Sequence, residues 1–268
     1  MSNSRRWGDH KNDSGAPFGG NANYILVGLT AVAAIALTVI AFNVSRPAVS
    51  NAKPGPIPSF GGVSTLVKLA VPAAGSSVLI IGDSYAAGTG ADHPTVDSWP
   101  HLLANDLGWN VTVDGVGGTG YTWGEGADGT GGNVFLDRVN KWASNKALTP
   151  ALLLIEGGQN DYRAKPADLK TAASSAIKAA KAAWPNAAIV VLGPSAPQPL
   201  GDMLARIAEP IETAAFENKV FSINPVALHW MTKANSPGFN FDGAHVNEAG
   251  HHYLAKQIEQ AMSTAEHR

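Results

Sequence analysis

The chain contains no cysteine, and charged residues are scarce for its length of 268 residues. The absence of cysteine excludes disulfides, cysteine-ligated zinc or iron–sulfur sites, and any thiol nucleophile. Charged residues make up 15% of the chain, whereas about 25% is usual for a soluble domain. The formal net charge is only −2, which gives no electrostatic signature of nucleic-acid binding. We therefore expect no nucleic-acid partner.

The N-terminal part of the chain has the pattern of a membrane anchor. Residues 24–42 form a run of 19 residues without a charge, and a membrane-spanning helix needs about 20 apolar residues. The polar residues 1–23 predict a disordered tail, which is longer than the first part of a secretory signal. We expect a transmembrane signal-anchor with the remaining chain extracytoplasmic. Cleavage after Ala52, which would give a secreted protein, is the alternative.

Residues 43–70 are rich in proline and glycine and predict an extended linker. Residues 71–268 then show alternating strand and helix signals, which predict a parallel sheet with helices on both faces. The expected strands cover residues 77–81, 109–113, 151–155, 188–192 and 220–223. The expected helices cover residues 98–107, 133–144, 167–183, 202–218 and 247–262. Pro210 should kink or split the fourth of these helices.

Several polar or glycine-rich motifs follow the predicted strands, where open α/β sheets carry their ligand sites. Ser84 comes directly after the first strand, so its hydroxyl can serve as a nucleophile. By itself the Gly-Asp-Ser motif also fits an ordinary helix cap. Asn160 follows the third strand and can donate an amide hydrogen bond to an oxyanion, although an Asn-Asp turn is the simpler explanation.

Four glycines lie within residues 114–120, after the second strand. No Lys-Ser or Lys-Thr pair follows, so the segment is not a P-loop. The spacing of a dinucleotide-binding loop is present but does not open the first strand–helix unit, which excludes that interpretation as well. A glycine turn at this edge of the sheet still allows a close approach of the backbone to a ligand. We expect no cofactor.

Asp242 and His245 follow the fifth strand, three residues apart on a turn before the last helix. This spacing allows the carboxylate to accept a hydrogen bond from the histidine Nδ1–H, which leaves Nε2 free to act as a base. No histidine or carboxylate spacing typical of a zinc site is present, so we expect no metal. The motifs together supply a nucleophile, oxyanion donors, a base and an acid at one edge of the sheet.

At these positions the sequence resembles the SGNH (GDSL-type) hydrolase family over residues 74–264. The resemblance rests on four blocks, which are Ile81-Gly82-Asp83-Ser84-Tyr85, Gly115-Val116-Gly117-Gly118, Gly158-Gln159-Asn160-Asp161 and Asp242-Gly243-Ala244-His245. It implies a flavodoxin-like three-layer α/β/α fold with a five-stranded parallel sheet. The chain departs from the family in having Val246 where proline is frequent, Gly117 in place of serine and Asp114 in place of asparagine.

The resemblance implies a role for each motif. Ser84 would be the nucleophile, with His245 as base and Asp242 as its acid partner. The backbone N–H groups of Ser84 and Gly118 and the side chain of Asn160 would form the oxyanion hole. This predicts a carboxylic ester hydrolase of the esterase, lipase or carbohydrate-deacylase type, acting on an acylated glycan or lipid at the cell envelope.

Two other functions remain open at this point. The same triad could pass the acyl group to a sugar hydroxyl, which would make the protein an envelope O-acyltransferase. A non-enzymatic module that binds glycan or protein is the third hypothesis. The loop at residues 121–132 adds Tyr121 and Trp123 near the glycine turn, and Tyr162 follows two residues after Asn160. These aromatic side chains either present a surface to substrate or pack inside the domain.

Overall fold

The computed structural model of the chain describes Gly62 and residues 67–126 and 128–266. The predicted tail, the predicted membrane span at residues 24–42 and most of the predicted linker lie outside the described residues. In the parts that are described, every helix is too short or too polar to cross a membrane.

The described residues contain a five-stranded sheet in which all neighbouring strands are parallel, in the order β2–β1–β3–β4–β5. The strands are β1 (Ser77–Gly82), β2 (Asn110–Gly115), β3 (Leu152–Glu156), β4 (Ala188–Leu192) and β5 (Phe221–Ile223). The helices are α1 (Pro94–Asp97), α2 (Trp99–Leu107), α3 (Phe135–Ser144), α4 (Pro166–Ala183), α5 (Leu200–Met203), α6 (Ala205–Glu217), α7 (Ser236–Phe239) and α8 (Glu248–Glu266). The predicted α/β fold with a five-stranded parallel sheet is confirmed.

The apolar runs of the central strands supply both faces of the sheet. Val78 and Ile80 of β1 belong to the core on one face, where α2 and α8 pack. Leu79 and Ile81 belong to the core on the other face, where α3, α4 and α6 pack. Successive strand residues point to opposite faces, so a sheet covered on both sides requires apolar side chains at every position.

The expectation that Pro210 splits the helix was wrong. The helical segment does break, but at Leu204 between α5 and α6, and Pro210 lies inside the continuous helix α6. Proline lacks an N–H, so the helix goes without the hydrogen bond from position 210 to the carbonyl of Arg206. The buried proline ring packs in the protein interior, and α6 continues to Glu217.

The strand order brings the predicted motifs to one edge of the sheet. The chain leaves β1 towards β2 on one side and places β3 on the other, which makes the carboxyl end of β1 a topological switch point. In the sheet register, Gly82 is paired with Gly115, and Ile81 is paired with Ile155. The segments that follow β1, β2 and β3 therefore start at the same level, next to one another.

Candidate active site

Ser84, His245 and Asp242 form a continuous chain of hydrogen bonds at the carboxyl edge of the sheet. The Oγ of Ser84 lies 2.8 Å from Nε2 of His245, and Nδ1 of His245 lies 2.8 Å from Oδ2 of Asp242. With the proton on Nδ1, the imidazole donates to the carboxylate and can accept the serine proton at Nε2. The structure thus brings Ser84 into contact with His245, which lies 161 positions away in the sequence and only 3 from Asp242.

The turn that carries Asp242 fixes the direction of its carboxylate. Oδ1 of Asp242 accepts the backbone N–H groups of Ala244 at 3.0 Å and His245 at 2.8 Å, which leaves Oδ2 for the imidazole. Partial burial acts to raise the pKa of Asp242, but the hydrogen bond and charge of His245 outweigh it, together with these N–H groups. The result is a pKa of about 2, so the carboxylate is ionised at neutral pH.

Two side chains hold the Asp242–His245 turn against the rest of the site. The hydroxyl of Tyr85 donates to the carbonyl of Ala244 at 2.8 Å, and Nε2 of Gln159 donates to the same carbonyl at 3.0 Å. Tyr85 follows the serine and Gln159 precedes Asn160, so one backbone oxygen ties together the segments after β1, β3 and β5. The ring of Tyr85 also lies 5.7 Å from that of His245.

Gly118 and Asn160, the two predicted oxyanion donors besides Ser84, face this arrangement from β2 and β3. Gly118 has a φ of +77°, and an added Cβ would meet no atom within 4 Å. Glycine is therefore required for its left-handed backbone and not for lack of space. Nδ2 of Asn160 donates to the carbonyl of Thr119 at 2.9 Å, which orients the amide beside the glycine turn.

Close packing joins the glycine turn to the nucleophile segment. A Cβ on Gly115 would lie only 2.3 Å from the backbone nitrogen of Ala87, so any side chain would push β2 away from the serine. At Gly117 the nearest contact of such a Cβ is Ser84 Cβ at 3.7 Å, an ordinary van der Waals distance. The Cβ of a serine, which is frequent at this position in the family that the sequence resembles, would fit here without moving the backbone.

Sequence reasoning missed Arg138, which lies behind the site with 1% of its surface exposed. Its Nη1 donates to the carbonyl of Gly82 at 2.9 Å and to Oγ1 of Thr119 at 3.1 Å. Its Nε donates to Oδ2 of Asp114 at 3.2 Å, and its Nη2 donates to the Asp114 carbonyl. Trp142 Nε1 donates to the same Oδ2 of Asp114 at 2.7 Å. Arg138 thereby links the end of β1 to the glycine turn.

Three carboxyl groups below the serine were also missed as a group. Asp83, Glu156 and Asp161 are each at most 3% exposed. Burial raises the pKa of Asp83 to about 6, although the hydrogen bond from the N–H of Tyr85 and the charge of His245 act to lower it. Burial and the nearby Asp83 raise the pKa of Glu156 well above its usual value. Burial raises the pKa of Asp161 too, although Thr122 donates to it.

The three aromatic residues near the site, Tyr121, Trp123 and Tyr162, differ in whether they pack inside the domain or lie at its surface. Tyr121 is 3% exposed and packs edge-on against Phe135 at 4.7 Å, so it belongs to the core. Trp123 and Tyr162 are half-buried and lie 6.4 Å apart, at the surface beside the site. Across the described residues, no three histidine or carboxylate side chains are placed to hold a metal ion.

Comparisons with known proteins identify the family of the chain. Residues 80–253 match the model of the GDSL-like lipase/acylhydrolase family. The chain is 31% identical to the GDSL lipase Rv0518 of Mycobacterium tuberculosis over 199 residues, which are 69% of this chain and 81% of the relative.

The fold is similar to those of solved carbohydrate esterases. A family 2 carbohydrate esterase of Corynascus thermopiles (Myceliophthora fergusii) has a TM-score of 0.59 at 18% identity, covering 74% of this chain and 68% of that one. A family 2 carbohydrate esterase of Clostridium thermocellum, solved with cellohexaose, has a TM-score of 0.54 at 19% identity, covering 73% of this chain and 66% of that one. The family model, the mycobacterial relative and the fold agree, and the chain belongs to the GDSL-like lipase/acylhydrolase family of carboxylic ester hydrolases.

Proposed function

We propose that the protein cleaves its ester through a covalent acyl-enzyme on Ser84. The observation that carries this proposal is the unbroken hydrogen-bonded chain from Ser84 Oγ through His245 to Asp242, with both distances at 2.8 Å. His245 takes the serine proton as Oγ attacks the ester carbonyl, and then gives that proton to the leaving alcohol. A water molecule, deprotonated by the same imidazole, releases the acid and restores the serine.

The oxyanion of the tetrahedral intermediate is stabilised by three donors in this proposal. These are the backbone N–H groups of Ser84 and Gly118 and the Nδ2 of Asn160. One Nδ2 hydrogen of Asn160 bonds the Thr119 carbonyl and sets the plane of the amide before substrate arrives, and the other, which makes only a 3.4 Å contact with Oδ2 of Asp83, is the one offered to the oxyanion. Donors that are already oriented need little reorganisation when charge develops, which is the main electrostatic source of rate enhancement in such sites.

The proposed substrate is an acylated glycan at the cell envelope. Structural relatives that carry the name carbohydrate esterase, one of them solved with cellohexaose, support a glycan, whereas the mycobacterial relative carries the name lipase. The predicted membrane anchor at residues 24–42, followed by the linker at residues 43–70, would hold residues 71–268 near envelope polymers. Release of the same domain after cleavage behind Ala52 is the alternative location.

The test compares Ser84→Ala with Ser195→Ala on p-nitrophenyl acetate. Ser195 is a suitable control because it is also a buried serine beyond a strand of the same sheet. We expect Ser84→Ala to lose hydrolysis and labelling by a fluorophosphonate, and Ser195→Ala to keep both. Retention of activity by Ser84→Ala would refute the proposed nucleophile. Hydrolysis and O-acyl transfer are then separated by measuring how acetate partitions between water and a glycan acceptor.

A further inference from the structure

A cluster of three side chains lies at the surface beside the proposed oxyanion hole. The guanidinium of Arg163 lies 5.0 Å from the ring centre of Trp123 and 5.2 Å from that of Tyr162. Contacts of this kind are attractive and restrict the motion of the arginine side chain. The Trp123 ring is itself packed against the backbone of Gly129, where an added Cβ would overlap the indole at 2.2 Å. The indole is therefore held in place from the side of Gly129 and supports Arg163.

The two loops of this cluster are fastened to each other next to the oxyanion donors. The carboxylate of Asp161 accepts the N–H of Tyr121 at 3.0 Å and both the N–H and the hydroxyl of Thr122, at 2.7 and 2.6 Å. Arg163 comes three residues after Asn160, so their Cα atoms are at most about 11 Å apart. Arg163 therefore lies on the same short loop as Asn160, with its guanidinium on the side of the site that Trp123 and Tyr162 form.

The guanidinium of Arg163 is available to a ligand. Its side chain is exposed, and within the described residues no carboxylate lies at salt-bridge distance from it. A second arginine, Arg206, donates from Nη2 to the carbonyl of Tyr162 at 2.7 Å and likewise has no carboxylate partner there. The planar fork of a guanidinium matches a carboxylate through two parallel hydrogen bonds.

We propose that Arg163 binds a carboxylate on the sugar that carries the scissile acyl group, so that the preferred substrates are acylated glycans with carboxylated sugar units. This inference rests on the proposed ester hydrolysis at Ser84 and adds the charge class of its substrate. Trp123 and Tyr162 hold the guanidinium in place, and Arg206 adds positive charge on the same side. Binding of the carboxylate lowers KM for such glycans, whereas KM for a small uncharged ester does not depend on Arg163.

A matched pair of substrates tests the proposal. The pair is an acetylated methyl glucuronoside and its neutral carboxamide, with acetyl groups at identical positions, and p-nitrophenyl acetate serves as the small ester. We expect the wild-type kcat/KM for acetate release to be about tenfold higher for the acid than for the amide. The preference should fall as salt is added, because the guanidinium is exposed and its charge is screened.

Variants then assign the preference to one residue. Arg163→Gln should bring the acid-to-amide ratio close to one, and Arg163→Lys should give an intermediate ratio since it keeps the charge without the fork. Lys178→Gln removes an exposed positive charge from the middle of α4 and should keep the wild-type ratio. All three should hydrolyse p-nitrophenyl acetate within about twofold of wild type. An unchanged ratio in Arg163→Gln, or a wild-type enzyme without preference, overturns the proposal.

A binding measurement keeps this outcome separate from that of the proposed catalysis. In a Ser84→Ala background, calorimetry should show that the acid binds about tenfold more tightly than the amide, and that Arg163→Gln removes the difference. Equal binding of acid and amide overturns the role of Arg163, even if the esterase reaction is confirmed. Hydrolysis of p-nitrophenyl acetate that does not depend on Ser84 instead refutes the proposed catalytic mechanism.

Discussion

Replacing Asn160 by alanine should remove catalysis while leaving the fold nearly intact. The amide is half-buried between the glycine turn and the buried carboxyl group of Asp83. In the free enzyme Nδ2 makes one good hydrogen bond, 2.9 Å to the carbonyl of Thr119, and a longer one of 3.4 Å to Oδ2 of Asp83. The side chain therefore has a small structural role and, in the proposed mechanism, a large role in the transition state.

The two effects differ enough in size to be measured separately. A lost oxyanion donor raises the barrier by about 3–4 kcal/mol, which lowers kcat about 100- to 1000-fold. A lost hydrogen bond between an amide and a carbonyl lowers the free energy of unfolding by only about 1 kcal/mol. KM should change little, because the oxyanion exists only in the transition state and the tetrahedral intermediate.

Asn110→Ala is the matched control for this experiment. Nδ2 of Asn110 also donates to one backbone carbonyl, that of Gly75 at 2.7 Å, but Asn110 begins β2 at the opposite edge of the sheet from Ser84. Because the hydrogen bond of Asn110 is exposed, the control should lose no more stability in urea unfolding than Asn160→Ala, and it should keep its kcat for p-nitrophenyl acetate. If kcat of Asn160→Ala stays within threefold of wild type, Asn160 is not an oxyanion donor.

Three further changes test the groups behind the site. Arg138→Lys keeps the charge but cannot reach both Gly82 and Asp114, so the free energy of unfolding in urea should fall by about 2–3 kcal/mol. Folding raises the pKa of Asp83 from 3.8 to about 6. The free energy of unfolding of the wild type should therefore fall as pH rises through that range, because the native state has to give up the proton. Asp83→Asn lacks this decline and should gain stability relative to wild type between pH 4 and pH 7. Burial lowers the pKa of His251 below 6.5, so wild-type stability should decline as pH falls below about 6.5, and His251→Gln should reduce that decline. An Arg138→Lys protein as stable as wild type, or pH profiles that the last two variants leave unchanged, would contradict these assignments.

The sheet and the main site were predictable because their signals are local. The strands β1, β3 and β4 are short apolar runs bounded by glycine or polar residues, and strands of a parallel sheet that are buried on both faces need that composition. The rule that ligand sites lie beyond the carboxyl ends of strands then pointed to Ser84 and Asn160. Asp242 and His245 lie only three residues apart, so their pairing could be inferred without tertiary structure.

The supporting residues were not predictable because their partners are distant in the sequence. Arg138 is 56 positions from Gly82 and 24 from Asp114, and its helix would present an ordinary surface arginine if judged from the local sequence. Glu156 ends an apolar strand, and the local sequence does not indicate that its carboxyl group is buried near Asp83. A weak signal was available: a glutamate that directly continues a buried strand is unusual, since unpaired carboxyl groups are rarely buried.

The carboxyl groups of the site have opposite properties because their surroundings differ. Asp242 is partly exposed and hydrogen-bonded to His245, and its pKa of about 2 keeps it charged at neutral pH. Asp83 and Glu156 are buried close together, and burial shifts both pKa values upward. Ionising both of two neighbouring buried carboxyl groups is unfavourable. The pair therefore keeps a proton to a higher pH than two exposed carboxyl groups would. This limits negative charge directly behind the proposed oxyanion donors, where a full set of carboxylates would oppose the anion that the site has to stabilise.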